Sequence, residues 1–376
     1  MHRTRFLLHK FIYVFSVSAF SQYAHSDDPI REVGYDLAYD IHFFDNAPLQ
    51  DNAGVLSESE FSRARITGKF GISDFIEAKV AMEISDEDKL PEVKDFYSTI
   101  NISKASDFIV GRKKISGGME QSLSKMDQFF FDRSLANRLF ALGRYNTIAF
   151  TYNSDHWATD ISGFQDDKLK EGAAKGAAVK FSWIPFHTNS SSSAVSLNLN
   201  EARPVFEKIE SEFSEQIFVA GAKVFKLKVP KRELTKFQTQ SIDLGIQIKR
   251  LLMQGEYFRR DEASLEQESS RSRGYYWLLS HTFGGVNREY KGDAFKSDPS
   301  RELGTEISLR YSSVELNAPD YSSTAKVLSV AASIYLTKHS KFAIQYETGE
   351  LATWQYGSGI QVPNSGVLSF RMQVTY

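Results

Sequence analysis

The sequence predicts an all-β fold, a transmembrane antiparallel β-barrel of sixteen strands with an inward-folded third extracellular loop. Three observations carry this expectation. Polar and apolar residues alternate at every second position in short runs along most of the chain, which is the period of a half-buried strand. Those runs are joined by long polar loops and tight turns in alternation, an asymmetry that a soluble sandwich does not need. The chain ends with Leu368, Phe370, Met372, Val374 and Tyr376 on one face and Ser369, Arg371, Gln373 and Thr375 on the other. In lipid every backbone group must be paired within the protein, so this last strand has to close against the first.

Composition agrees. The 376 residues include 29 Phe, 17 Tyr and no Cys, and mean hydropathy is −0.35. That value excludes a helical membrane protein, but suits a barrel in which half of each strand faces water. The lack of cysteine fits passage through an oxidising periplasm without a disulfide framework.

Residues 1–26 read as a secretory signal peptide. Arg3, Arg5 and Lys10 precede an apolar run at 11–20 that is too short to span a bilayer as a helix. Ala24-His25-Ser26 then offers small residues for cleavage before Asp27. Residues 27–376 are left for the barrel. Losing three basic residues and no acid takes the formal charge from −2 to −5. Any selectivity must therefore come from where charges sit, not from their total.

The first strand sets Val33, Tyr35, Leu37, Tyr39, Ile41 and Phe43 opposite Asp36, Asp40 and His42. The second, 61–70, sets Arg63, Arg65, Thr67 and Lys69 opposite Ala64, Ile66, Gly68 and Phe70. Residues 75–84 return with Glu77, Lys79 and Glu83 on the polar face. Further candidates are 94–102, 107–113, 145–152, 156–164, 174–184, 192–200, 214–228, 238–249 and 251–260. They continue at 274–283, 303–313, 325–336, 340–348 and 366–376, with 285–296 ambiguous. These make seventeen, whereas a closed barrel with both ends in the periplasm needs an even number. One is surplus, and strand directions fail to match between 185 and 240 or near 285–300. Sixteen is the expected number.

The segment 111–144 interrupts the alternation with basic residues. Within it, 115–143 is expected to fold into the barrel as the constriction loop. Phe129-Phe130-Phe131 and the run 139–142 would pin it to the inner wall, or pack between subunits or in a short helix.

Several blocks, in order, resemble the phosphate-selective porin O/P family and its polyphosphate-type relatives. They are Phe61-Ser-Arg-Ala-Arg-Ile66, then Asp107-Phe-Ile-Val-Gly-Arg-Lys113 with Gly117 and Ser122-Leu-Ser-Lys125. Phe131-Asp-Arg-Ser-Leu-Ala-Asn137 with Gly143-Arg144 follows. The later ones are Gly255-Glu-Tyr257, Tyr275-Tyr-Trp-Leu-Leu279, Gly304-Thr-Glu-Ile-Ser-Leu-Arg-Tyr311 and the closing strand. The resemblance implies a sixteen-stranded homotrimeric porin of the bacterial outer membrane, in contact with its lipid and lipopolysaccharide. Its lumen would be lined by Arg and Lys that concentrate phosphate-like anions. Ser124 and Lys125 match the family's serine–lysine pair. At the second strand, Ser62 replaces the first of two family arginines, Arg63 keeps the second, and Arg65 stands at a tyrosine position.

Anion passage needs fixed positive charges that replace lost hydration without trapping the ion. Arginine offers phosphate two parallel hydrogen bonds, and lysine acts as a point charge. The candidate anion-binding residues are therefore Arg63, Arg65, Lys113, Ser124, Lys125 and Arg133. Lys114, Arg138 and Arg144 add charge nearby, while Glu120, Asp127 and Asp132 subtract it. No cofactor, metal site or nucleic-acid partner is expected. Enzyme chemistry is not expected either: Ser280 and His281 are neighbours on opposite faces of a strand, and no nucleophile elbow, zinc helix or P-loop is present. Two alternatives stay open: a general or differently selective porin on the same scaffold, and a surface adhesin or phage receptor.

Overall fold

The computed structural model describes residues 30–376 except 46–56, 85–90, 126, 167–172, 189, 206–208, 212–213, 217–225, 229–231, 265–268, 320 and 356–357. The signal-peptide assignment lies outside them. The strands are β1 (Ile30–Asp45), β2 (Ser57–Ser73), β3 (Ile76–Ile84), β4 (Glu92–Asn101), β5 (Ser106–Lys114), β6 (Arg144–Asn153), β7 (Trp157–Gln165), β8 (Ala174–His187) and β9 (Ser191–Pro204). After three short pieces, β10 (Ile209–Ser211), β11 (Ser214–Gln216) and β12 (Lys226–Lys228), the wall resumes with β13 (Arg232–Ile248), β14 (Leu251–Ser264), β15 (Ser270–Lys291) and β16 (Ala294–Ala318). It ends with β17 (Tyr321–Thr337), β18 (Ser340–Gln355) and β19 (Ser358–Thr375).

The long strands, β1–β9 and β13–β19, close one antiparallel barrel of sixteen. Each pairs with its sequence neighbour, and β1 pairs with both β2 and β19. The C-terminus makes the seam. Tyr35 and Tyr376 exchange backbone hydrogen bonds of 2.9 Å, and their rings stack at 5.6 Å. The surplus seventeenth candidate was 214–228. Its described ends, β11 and β12, pair with each other in a separate two-stranded sheet. Strand 13 of the chain pairs directly with β9 instead. Alternation fits a loop hairpin as well as a barrel wall, which is why period alone could not separate them.

The two faces follow the alternation. Along β14, Leu252, Gln254, Glu256, Phe258, Arg260 and Glu262 are buried inside, while Met253 and Tyr257 are exposed outside. Aromatic rings gather on the outer surface near the tight turns, at Phe75, Trp157, Trp183, Phe186, Phe283 and Tyr376. An apolar outer belt with aromatic residues at its margin is the surface a bilayer requires. A closed barrel that leaves no unpaired sheet edge and carries such a belt belongs in the bacterial outer membrane.

The ambiguous stretch 285–296 proves to be a tongue. Beyond Gly284, opposite Gly304, the β15–β16 ladder breaks register and resumes at Val286 opposite Pro299. The hairpin then enters the lumen from the tight-turn end. Val286, Arg288, Tyr290, Ala294 and Phe295 on it are buried, and Lys180 of the distant strand β8 reaches Asp293 at its tip. Two glycines permit the bend. Gly284 has φ +65°, and a Cβ there would lie 2.4 Å from the Leu303 carbonyl oxygen. A Cβ on Gly304 would lie 2.7 Å from Val286. Gly284→Val should destabilise the folded barrel by about 1–3 kcal/mol, read as a lower urea midpoint for its heat-modifiable band. Gly163→Ala, with open space at its Cβ, should leave that midpoint unchanged.

Candidate constriction site

The third extracellular loop, 115–143, folds inward as expected. Its neck is closed by Ile115 N–H to the Gly143 carbonyl (3.1 Å) and by the Lys114 ammonium to the Gln121 carbonyl (2.7 Å). It holds two short helices, α1 (Met119–Ser122) and α2 (Leu135–Phe140). The second begins at Ser134, whose hydroxyl accepts the Asn137 N–H at 3.2 Å. That bond satisfies one donor left open at a helix start.

Three consecutive phenylalanines fix the loop to the far wall. Arg288 of β15 lies 3.8 Å from the Phe129 ring centroid, Arg310 of β16 4.3 Å from Phe130, and Arg371 of β19 4.3 Å from Phe131. The same guanidinium groups donate to loop carbonyls: Arg288 to Asp127 (2.5 Å), Arg310 to Asp132 (2.9 Å) and Arg371 to Phe131 (3.0 Å). Lys341 of β18 donates to the Gln128 carbonyl at 3.0 Å. Wall carboxylates hold the arginines in turn. Glu306 grips Arg288 with both oxygens (2.7 and 2.9 Å), and Asp40 grips Arg371 (2.5 and 2.7 Å). Arg310 meets Glu347 of β18 and Glu120 of the loop. Glu120 therefore offsets a wall arginine as well as the loop's own Arg133.

The tongue backs the loop from the other side. Ser297 donates its N–H and hydroxyl to Asp127 (3.1 and 2.8 Å), and Asp293 accepts from Ser122 (2.7 Å). Met119, Leu123, Phe129 and Phe130 form one apolar cluster with Tyr290, Ala294 and Phe295. The lumen along β13–β19 is thus a packed core. Side-chain exposure is 1% at Arg288, 3% at Arg310 and 2% at Arg371, against 16% at Arg63 and 27% at Lys79. Water reaches the barrel interior on the β2–β6 side.

That side is basic. Arg63 and Arg65 share one carboxylate, Glu83, at 3.2 and 2.9 Å. Arg144 and Lys79 share another, Asp95, at 2.6 and 3.9 Å. Lys125 reaches across from the loop to the Ser62 carbonyl at 3.0 Å, beside Arg63. Lys114 also donates to a main-chain carbonyl. Asp36 lies near Arg63 and Arg65, Lys114 lies near Arg63, Arg144 and Asp95, and Arg133 lies nearest Glu120 and Arg144.

Of the predicted residues, Arg63, Arg65 and Lys125 come together. Ser124 bonds Asp127 at 2.7 Å and braces the turn before the phenylalanines. Lys113 is paired with Asp160 of β7 at 3.1 Å, away from this cluster. Arg133 braces the loop through the Glu120 and Leu123 carbonyls (3.2 and 3.3 Å). Lys79 was visible on the luminal face of its strand, but only the register shows that it shares Asp95 with Arg144. The inside and outside faces of Ser280-His281 are also as expected: Ser280 bonds Glu306 at 2.8 Å, and His281 packs on Phe283 at 4.4 Å.

Loop charges respond to this enclosure. Burial pushes the Lys125 ammonium down to about 7, and the nearby Arg371 acts in the same direction. Burial would raise Asp132, but Arg138, Lys125 and Arg371 hold it down at about 2, so it stays ionised. Burial also lowers Arg133.

No protein-family model matches the chain, and no curated protein matches it in sequence. Solved structures do match in fold. The anion-selective porin from Comamonas acidovorans aligns with TM-score 0.58 at 14% identity, covering 92% of this chain and 99% of its own. OmpT, an outer membrane protein of Vibrio cholerae in trimer form, aligns with TM-score 0.58 at 9% identity, covering 92% and 98%. The outer membrane channel DcaP of Acinetobacter baumannii aligns with TM-score 0.57 at 9% identity, covering 92% and 96%. At such identities the likeness is one of fold, that of porin-like outer-membrane barrels.

Proposed function

We propose that this barrel is a porin that passes small anionic solutes through the outer membrane, with phosphate-like anions as the best-fitting class. The carrying observation is the charge balance on the water-accessible side of the loop. Arg63 and Arg65 share Glu83, and Lys79 and Arg144 share Asp95, two basic side chains to each acid, with Asp36 beside Arg63 and Arg65. A local positive surplus in a narrow, low-dielectric passage concentrates anions despite the acidic total. The family resemblance at Arg63, Ser124 and Lys125 supports the phosphate-like reading, and in it Arg63, Arg65 and Lys125 are the residues that meet the ion. A homotrimer is proposed with it, as in the trimer form described for the Vibrio protein.

One observation favours a weaker selectivity on the same scaffold. Ser62 stands where the family has an arginine, and both remaining arginines already contact Glu83. In that reading the channel prefers anions without a dedicated phosphate site.

Reversal potentials across planar bilayers in a salt gradient test the proposal. Anion preference is expected for the native protein, reduced several-fold in Arg63→Ala and Lys125→Ala. Cation preference would sink it, and an absence of conductance would point to the adhesin or phage-receptor reading. Phosphate should block chloride current in the native channel and less so in both variants; block that survives both would remove these residues from the site.

A pH dependence follows from Lys125. With its folded value lowered to about 7 by burial, the ammonium is charged below neutrality and neutral above it. Anion preference should fall between pH 6 and pH 8, and Lys125→Ala should flatten the profile. A native profile that is flat over that range would contradict the assignment.

A further inference from the structure

We propose that Asp40, His42 and Glu60 form a binding site for a divalent transition-metal cation of the zinc type, on the wall beside the constriction loop. Asp40 and His42 are two apart on β1 and share the luminal face. Glu60 of β2 stands opposite Asp40 in register. One ligand atom from each lies within 4.8 Å of the other two. Asp40 and His42 are fully buried.

Two atoms point to an occupant. His42 Nε2 and Glu60 Oε1 are buried and have no hydrogen-bond partner. A buried polar atom left unpaired is costly, and such groups in a folded protein call for an explanation such as an ion or water. The other ring nitrogen, His42 Nδ1, lies 2.8 Å from the Ser369 hydroxyl. A partner on one nitrogen that fixes the ring and presents the other is the usual support of a metal-bound imidazole. One imidazole nitrogen and two carboxylates, one of them shared with Arg371, are donors of the kinds that zinc takes.

The charges nearby permit a dication. Asp40, Glu60, Glu58 and Asp132 face Arg371 and Lys125. Arg371 occupies both oxygens of Asp40, so His42 and Glu60 would be the principal ligands, with Asp40 shared. The imidazole favours zinc over calcium or magnesium, which take oxygen ligands. Because Lys125 adjoins this cluster, a bound dication would add positive charge where the loop meets β2.

The test uses the full-length barrel, folded in detergent and stripped of metal, with Zn2+ as the probe. Titration calorimetry should show one Zn2+ bound per chain, weakened about tenfold or more in His42→Ala and in Glu60→Gln. The heat-modifiable band reports that each variant is folded. Calcium should not compete at equal concentration. The absence of stoichiometric Zn2+ binding, or equal binding in both folded variants, overturns the proposal. A change in reversal potential on adding Zn2+ to the native channel, absent in His42→Ala, would place the ion beside the conducting path.

Discussion

The triplet Phe129-Phe130-Phe131, laid against Arg288, Arg310 and Arg371, is the contact on which the interior depends. A loop crossing a barrel has no sheet ladder to hold it, so side chains must supply its position. Each stacked pair is worth roughly 0.5–2 kcal/mol, more when water is excluded. The arginines also satisfy loop carbonyls that would otherwise be buried without donors. Carboxylates on the wall make their burial tolerable. Removing one partner of such a buried pair costs about 3–5 kcal/mol, which is why these charges come as complete sets.

This arrangement divides the cations of the lumen by task. Arg288, Arg310 and Arg371 are bound to the loop and to acids, and Lys341 to the loop, so they are not placed to serve a passing solute. Arg63, Arg65, Lys79 and Arg144 stand across the remaining gap with two cations to each acid. The tongue reinforces the division. By bonding Asp127 and Ser122 it supports the loop from the periplasmic side and fills the space beneath it. The more exposed side of the lumen therefore lies along the basic wall.

Much of this was legible in the sequence, because a two-residue period reports directly which face a side chain takes. Arg63, Arg65 and Lys79 were correctly placed inside, and the seam at Tyr376 followed from backbone pairing in lipid. Period does not report partners. Lys113 and Arg133 have the right charge, yet one is paired with Asp160 and the other is turned back onto its own loop. The stretch 214–228 alternates, yet its described ends, β11 and β12, pair with each other and not with the wall, since such a pair has the same period. The tongue, ambiguous at 285–296 in the sequence, is hidden for the opposite reason: glycines and a register break interrupt its pattern where the chain bends inward.

Water and solute are expected to pass between the loop and the β2–β6 wall, and not through the packed β15–β16 side. The native chain has no cysteine, so single cysteines can be scanned with a charged thiol reagent while conductance is recorded. Lys79→Cys should react readily and lower the conductance. Ser280→Cys and Ser308→Cys, at positions 2% and 1% exposed, should stay unmodified in the folded barrel. Rapid modification at Ser308→Cys with a matching loss of current would show a second path through the packed side and contradict the account.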